Sequence, residues 1–365
     1  MKQIKLTMRL ASLFLSICMA MTLQPFIALA EETGSGDISG YISGGIFQDT
    51  TWGNVTLTGD VSLSNGVTIQ LDGTVTVRGA ATLSGGTLIR QSGNSSILFS
   101  VEDGGKLTLE NVVLDGGGVS GDDGWNGPSG NSILVVKSGG ELTLDNGTTV
   151  QNHYAPSGLT LGGFDSGAAV HVYSGGALTM NAGSMIRNGR NESSDRGAGV
   201  SNWGSFTMNG GTVSGFVIAN SYTSVGPIGG GKTVMGGSGG GIFNAGVFSM
   251  RGGEISGNSA VQYGGGVANY AVGNAPVFEL FDGAEIKNNV VTGTTDTSLA
   301  YVGGGGVYTN RGAAFTMHGG RITENSASAT DPNGYAVYGG GGLFLEGGTF
   351  VMESGVISKA APHNC

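Results

Sequence analysis

The sequence predicts an all-β solenoid, a single-stranded parallel β-helix with three short strands per coil. Three observations carry that expectation. Glycine supplies 73 of the 365 residues, about three times the roughly 7% of an average protein. A three-part phrase recurs along most of the chain. Within each part apolar and polar residues alternate, the period of a strand with one buried face.

The phrase is plainest in the middle of the chain. One copy reads Gly239-Gly240-Gly241-Ile242-Phe243-Asn244, then Gly246-Val247-Phe248-Ser249-Met250, then Gly252-Gly253-Glu254-Ile255-Ser256-Gly257-Asn258. Other copies begin at Gly197 and Gly304 or occupy 167–188, 264–289 and 340–358, and weaker ones begin at Gly104 and Gly139. Glycines separate the runs, where a turn through positive φ is cheapest without a Cβ. Three strands and three turns close one coil. Stacked coils pair each strand with its copy about 4.8 Å away. One coil cannot bury its apolar side; a stack can. The pattern therefore predicts three interior files. They are Phe206, Phe248, Phe278 and Phe315; Met180, Met208, Met250, Leu280 and Met317; and Ile186, Val213, Ile255, Ile286 and Ile322. A β-propeller has a similar period of about 40 residues, but with four longer strands per blade. A β-sandwich would not repeat a phrase.

Composition narrows the function classes. Hydrophobic residues make up 39% of the chain and charged ones 12%, the reverse of a disordered chain. Seven prolines without a Gly-X-Y period exclude collagen. The formal charge is −10 and no basic stripe occurs, so no nucleic-acid partner is expected.

Lys2, Lys5 and Arg9 precede an apolar run over 10–21, and Ala28-Leu29-Ala30 follows. That is the order of an export signal, so residues 1–30 are expected to be removed. Removal leaves 13 bases against 26 acids, a charge of −13. The apolar run is short for an anchor of about 20 residues, and Ile17 is bulky for a lipidated Cys18. No transmembrane segment is expected after cleavage, and the mature chain belongs outside the cell or on its surface. Only Cys365 then remains, so no internal disulfide holds the fold. Residues 31–103 alternate less regularly, as in Val55-Thr56-Leu57 and Val75-Thr76-Val77, and are expected to form a cap and opening coils. Residues 104–365 form the repeat region. The chain stops soon after the phrase at 347–358, and a continuation past Cys365 is expected.

Two series of amides stand out. Asn202, Asn244 and Asn269 share one repeat position, with Asn310 one residue out of step. Asn258, Asn289 and Asn325 share another, three residues after the interior isoleucine. Amides stacked at equivalent positions hydrogen-bond from coil to coil, so both series read as structural ladders. The loop 121–127 is chemically distinctive. Asp122 and Asp123 could hold calcium or share a proton in sugar chemistry, and Trp125 could stack on a sugar ring. Its plainer reading is an acidic turn. No other cofactor, no metal site and no catalytic residue is assigned; His153, His171, His318 and His363 lack ligand spacing. Extra residues at 221–238, 290–302 and 326–338 all follow the third strand, which puts them on one edge of a solenoid, often its binding edge. Trp52, Trp125, Trp203, Tyr222, Tyr301 and Tyr335 are expected on exposed edges, where carbohydrate or protein contact suits them.

The phrases Gly210-Gly211-Thr212-Val213, Gly252-Gly253-Glu254-Ile255 and Gly319-Gly320-Arg321-Ile322, with Asn258 and Asn325 after the last two, resemble the G-G-x-I half of polymorphic outer-membrane protein repeats. These belong among the pectate-lyase-like, right-handed parallel β-helix proteins of bacterial surfaces. The resemblance covers roughly 100–358. It implies right-handed coiling, export, surface display, and adhesion to carbohydrate or to a host or cell-surface protein. The companion F-x-x-N motif and the membrane barrel of that group are not matched. Pectin-degrading relatives cluster acids with basic residues on one face, whereas Asp115, Asp145, Asp165 and Asp282 are scattered through turns. The expected function is therefore a non-enzymatic adhesin-like binding or structural module. The alternative is an extracellular polysaccharide lyase or glycoside hydrolase.

Overall fold

A computed structural model describes residues 37–42, 50–64, 66–121, 124–126, 130–157, 167–193, 196–219, 222–225, 232–235, 237–293, 302–328 and 339–359. Over these residues the chain is a parallel β-helix. One coil comprises Val200–Asn202, Ser205–Met208 and Thr212–Ile218. The next, Ile242–Asn244, Val247–Met250 and Gly253–Ser256, lies on it strand for strand, with Val200 beside Ile242, Phe206 beside Phe248 and Val213 beside Ile255. The middle strands form a ten-stranded sheet, here the second face. The glycine-led strands (first face) and the last strands (third face) belong to one 23-stranded sheet. Thr50–Leu57 joins those two faces by pairing with both Thr68–Leu71 and Val75–Val77. Every pairing between described strands is parallel except two hairpins, Val119–Gly121 with Gly124–Asn126 and Tyr222–Val225 with Lys232–Met235.

The three interior files are present in register. Phe206, Phe248, Phe278, Phe315 and Phe350 stack with ring centroids 4.6–5.0 Å apart. Met180, Met208, Met250, Leu280, Met317 and Met352 follow one another on the same strands. Ile186, Val213, Ile255, Ile286, Ile322 and Ile357 do so on the third face. Each buried side chain of this size stabilises by about 1.5–3 kcal/mol, and ring stacking adds about 0.5–1.5 kcal/mol per pair. Met352 is 45% exposed because it sits on the last described coil.

The third run is longer than the three-strand coil requires, and it bends at a single left-handed residue. Asn152, Asn188, Gly215, Gly257, Asn288 and Glu324 occupy that corner in successive coils, with φ between +54° and +71°. Asparagine and glycine tolerate this conformation; a glutamate there carries a cost of about 1–2 kcal/mol. Glu324→Gly should therefore stabilise the protein by about 1 kcal/mol in urea unfolding. An unchanged or lowered midpoint would mean that the Glu324 side chain compensates for its backbone.

The glycine clusters do more than turn. Gly264 takes φ +61° at the start of its cluster, but Gly266 does not have a left-handed φ. A Cβ on Gly266 would meet the carbonyl oxygen of Gly306 at 2.7 Å and the Asn289 amide nitrogen at 3.0 Å. The cluster thus lets the first-face strand press against the next coil and against a buried amide.

Candidate functional site

Both asparagine series run through the interior wall. Asn202 donates to the Asn244 amide oxygen (2.7 Å) and Asn244 to that of Asn269 (2.8 Å). Each also donates to a backbone carbonyl of the second face: Val247, Val277 and Ala314 respectively. The fourth place belongs to Thr309, which pairs with Asn269, so Asn310 is not part of the ladder. Asn310 instead bonds the backbone of Ala271 as both acceptor and donor. In the second series Asn258 donates to Asn289, and Asn289 to Asn325, at 3.0 Å each. All six asparagines are buried, where they connect coils rather than face a ligand.

The coils before Asn258 fill its position differently. His153, Gly189 and Phe216 stand there in register. A Cβ on Gly189 would come 2.5 Å from the Phe216 ring, so the missing side chain makes room for that ring. His153 is buried, and its pKa falls to about 3 through loss of solvation and the nearby charge of Arg90. Arg90 is itself buried and spends its guanidinium on the carbonyls of Asn94, Ser96 and Asn131. This internal clip was invisible in the sequence because its partners are main-chain oxygens.

Of the predicted loop site, Asp122 and Asp123 lie outside the described residues. Trp125 lies on the second strand of the hairpin, opposite Ser120. The acids described elsewhere are engaged locally. Asp115 accepts from Gly117 N, Gln151 and Asn152 at 2.8 Å each, and Arg187 donates to Gln151. Asp145 accepts from Asn181, and Asp282 from Gly320 N; Asp165 lies outside the described residues. Among the described residues no group of three metal-ligating side chains converges.

The aromatics lie differently from expectation. Trp52 is fully buried rather than exposed, because it occupies an inward position of Thr50–Leu57. Tyr222 lies on the Tyr222–Val225 hairpin strand, and Tyr301 and Tyr335 fall outside the described residues. Trp203 is half-buried at the most distinctive surface of the molecule. One position past the first-face strands, backbone bonds carry Lys137, Tyr173, Trp203, Ala245 and Tyr270 along the flank on successive coils. Behind them, the outward-pointing Phe243 and Tyr308 are buried. Phe243 contacts Trp203 and Tyr270 (centroids 5.9 Å each), and Tyr308 stacks on Tyr263 at 4.1 Å. Tyr263 belongs to a third-to-first-face connection, so that segment folds back over the outside of the helix. Burial raises the pKa of Tyr263 and Tyr308, and the bond from Tyr308 to Glu346 raises the latter further. Both stay neutral phenols.

This flank is a second apolar cluster outside the solenoid, built from Phe243, Ala245, Tyr263, Ala268 and Tyr308 with Trp203 and Tyr270 at its solvent side. It offers flat rings with wet edges, the chemistry that grips a sugar ring or a protein surface. Of its residues only Trp203 was singled out from the sequence; Tyr173 and Tyr270 were not, although the repeat register puts them at the same position. Comparison with models of known families, with curated proteins and with solved structures finds no match for this chain.

Proposed function

We propose that this chain is an exported, non-enzymatic β-helix that binds carbohydrate at a cell surface in the manner of an adhesin. The observation that carries the reading is the aromatic flank. Tyr173, Trp203 and Tyr270 are half-exposed along one line of a rigid stack; Tyr173 and Trp203 stand on adjacent coils, about 4.8 Å apart, and Tyr270 stands two coils beyond Trp203, past Ala245. Rings held by a scaffold lose little freedom on binding. The expected export signal at residues 1–30 supports placement outside the cell, and the engagement of Asp115, Asp145 and Asp282 in bonds to the next coil favours binding over cleavage.

The test is a panel of immobilised oligosaccharides and polysaccharides probed with the chain beginning at Glu31. Trp203→Ala should weaken binding about tenfold, the equivalent of about 1.4 kcal/mol, with circular dichroism unchanged. Binding that survives both Trp203→Ala and Tyr270→Ala would remove the flank from the reading. Release of reducing ends or of unsaturated sugar would replace it with the lyase or hydrolase alternative.

A further inference from the structure

We infer that the glycan this flank accepts is an acidic one, a chain bearing carboxylates or sulfates. The inference rests on the proposed carbohydrate reading and names its ligand class. The residue behind it is Arg196, at the end of the connection that leads into Val200–Asn202. Its guanidinium lies 5.4 Å from the Phe243 ring centroid and 5.7 Å from that of Tyr270. No carboxylate pairs with it among the described residues, and its Nη1 is buried without a hydrogen-bond partner. By contrast, Lys287 sits between Glu254 and Glu285, Arg321 approaches Glu285, and Arg190 is matched by Glu192.

A guanidinium framed by aromatic rings has lost part of its water without gaining an anion. Desolvation of an unpaired charge is costly, and a planar fork of donors suits a carboxylate or sulfate in two-point contact. Lys137 repeats the arrangement at the other end of the flank. Its ammonium lies 4.1 Å from the Tyr173 ring centroid, again with no carboxylate partner among the described residues. The register places the two cations three to four coils apart, roughly 15–20 Å at about 4.8 Å per coil. Two cations at that separation, with rings between them, fit a polymer lying along the helix axis better than a single acidic sugar. The predicted mature charge of −13 gives no long-range attraction for a polyanion, so recognition has to come from these local contacts.

The experiment measures affinity for five probes: hyaluronan oligosaccharides (carboxylate alone), chondroitin sulfate oligosaccharides (carboxylate and sulfate), neutral dextran oligosaccharides, neutral chitin oligosaccharides, and poly-glutamate. At least one acidic glycan should bind tenfold or more tightly than the neutral ones, and which of the two leads identifies the anion. Arg196→Gln should lower acidic-glycan binding about tenfold and neutral-glycan binding by much less, so that the preference is lost, while Trp203→Ala lowers both alike. An acid preference that survives Arg196→Gln with Lys137→Gln overturns the inference. So does poly-glutamate binding as tightly as the acidic glycans. If neutral glycans bind and acidic ones bind no better, this inference fails and the carbohydrate reading stands. If no glycan binds, the carbohydrate reading fails as well.

Discussion

Asn289→Ala should destabilise the protein by about 3–5 kcal/mol. The Asn289 side chain takes part in four buried bonds. Its oxygen accepts from the backbone nitrogen and the amide of Asn258, and its amide donates to the Ile255 carbonyl and to Asn325. Truncation strands four groups on two neighbouring coils, and each buried polar group left unpaired costs about 1–3 kcal/mol. Partial compensation holds the total below the sum, since Asn258 still donates to Val213 and Asn325 still accepts from the Asn289 backbone nitrogen. The matched control is Asn209→Ala, an exposed amide with a single bond to Asn181, which should cost under about 1 kcal/mol. Urea unfolding of the three proteins checks this. Similar midpoints for both variants would show that the ladder adds nothing beyond ordinary surface bonds.

Acid should weaken the fold well before the carboxylates protonate. His153 and His171 are buried neutral, with pKa values lowered to about 3 and about 4, mainly by desolvation and secondarily by Arg90 and Lys137. In the unfolded chain both imidazoles protonate as the pH falls through about 6.5. Between that value and the folded ones the unfolded state holds more protons. Stability is therefore complete above pH 6.5 and is lost as the pH falls toward 4. Each histidine contributes a slope of at most about 1.4 kcal/mol per pH unit in that window, so a loss of several kcal/mol between pH 7 and pH 4.5 is expected. Melting temperatures across that range check it. His171→Gln should reduce the slope by about half, and a flat profile in the unaltered protein would mean that water reaches both rings. His318 behaves oppositely. It lies on the surface between Glu279 and Glu353, which raise its pKa, so its pairing is present at low pH and lost as the pH rises.

The interior files were legible because period-two alternation specifies which side chains point inward, and the repeat specifies what lies above them. Phe278 needed no structure to be placed against Phe248 and Phe315. The second asparagine series was legible for the same reason, standing three residues after Ile255, Ile286 and Ile322. The first series was read correctly until Thr309 replaced the fourth amide. The one-residue offset of Asn310 was visible in the sequence, but that Thr309 takes the place beside Asn269 and Asn310 turns to the backbone of Ala271 needed the strand pairing. Trp52 was misplaced because an isolated tryptophan in the irregular region 31–103 has no repeat phase to assign it a face.

The amino-acid sequence by itself determined the coil, its stacking direction and its core, because those depend on local alternation and on copies meeting copies. It also showed where the coils vary in length. Only the tertiary structure decided what the short connections into the first face do; most of the longer inserts at 221–238, 290–302 and 326–338 lie outside the described residues. Tyr263 and Arg196 reach back over the first face and convert outward-pointing Phe243 and Tyr308 into a second, external cluster. Contacts of this kind join residues with no common phase in the repeat. They arise from how a connection folds in three dimensions, which periodicity does not encode.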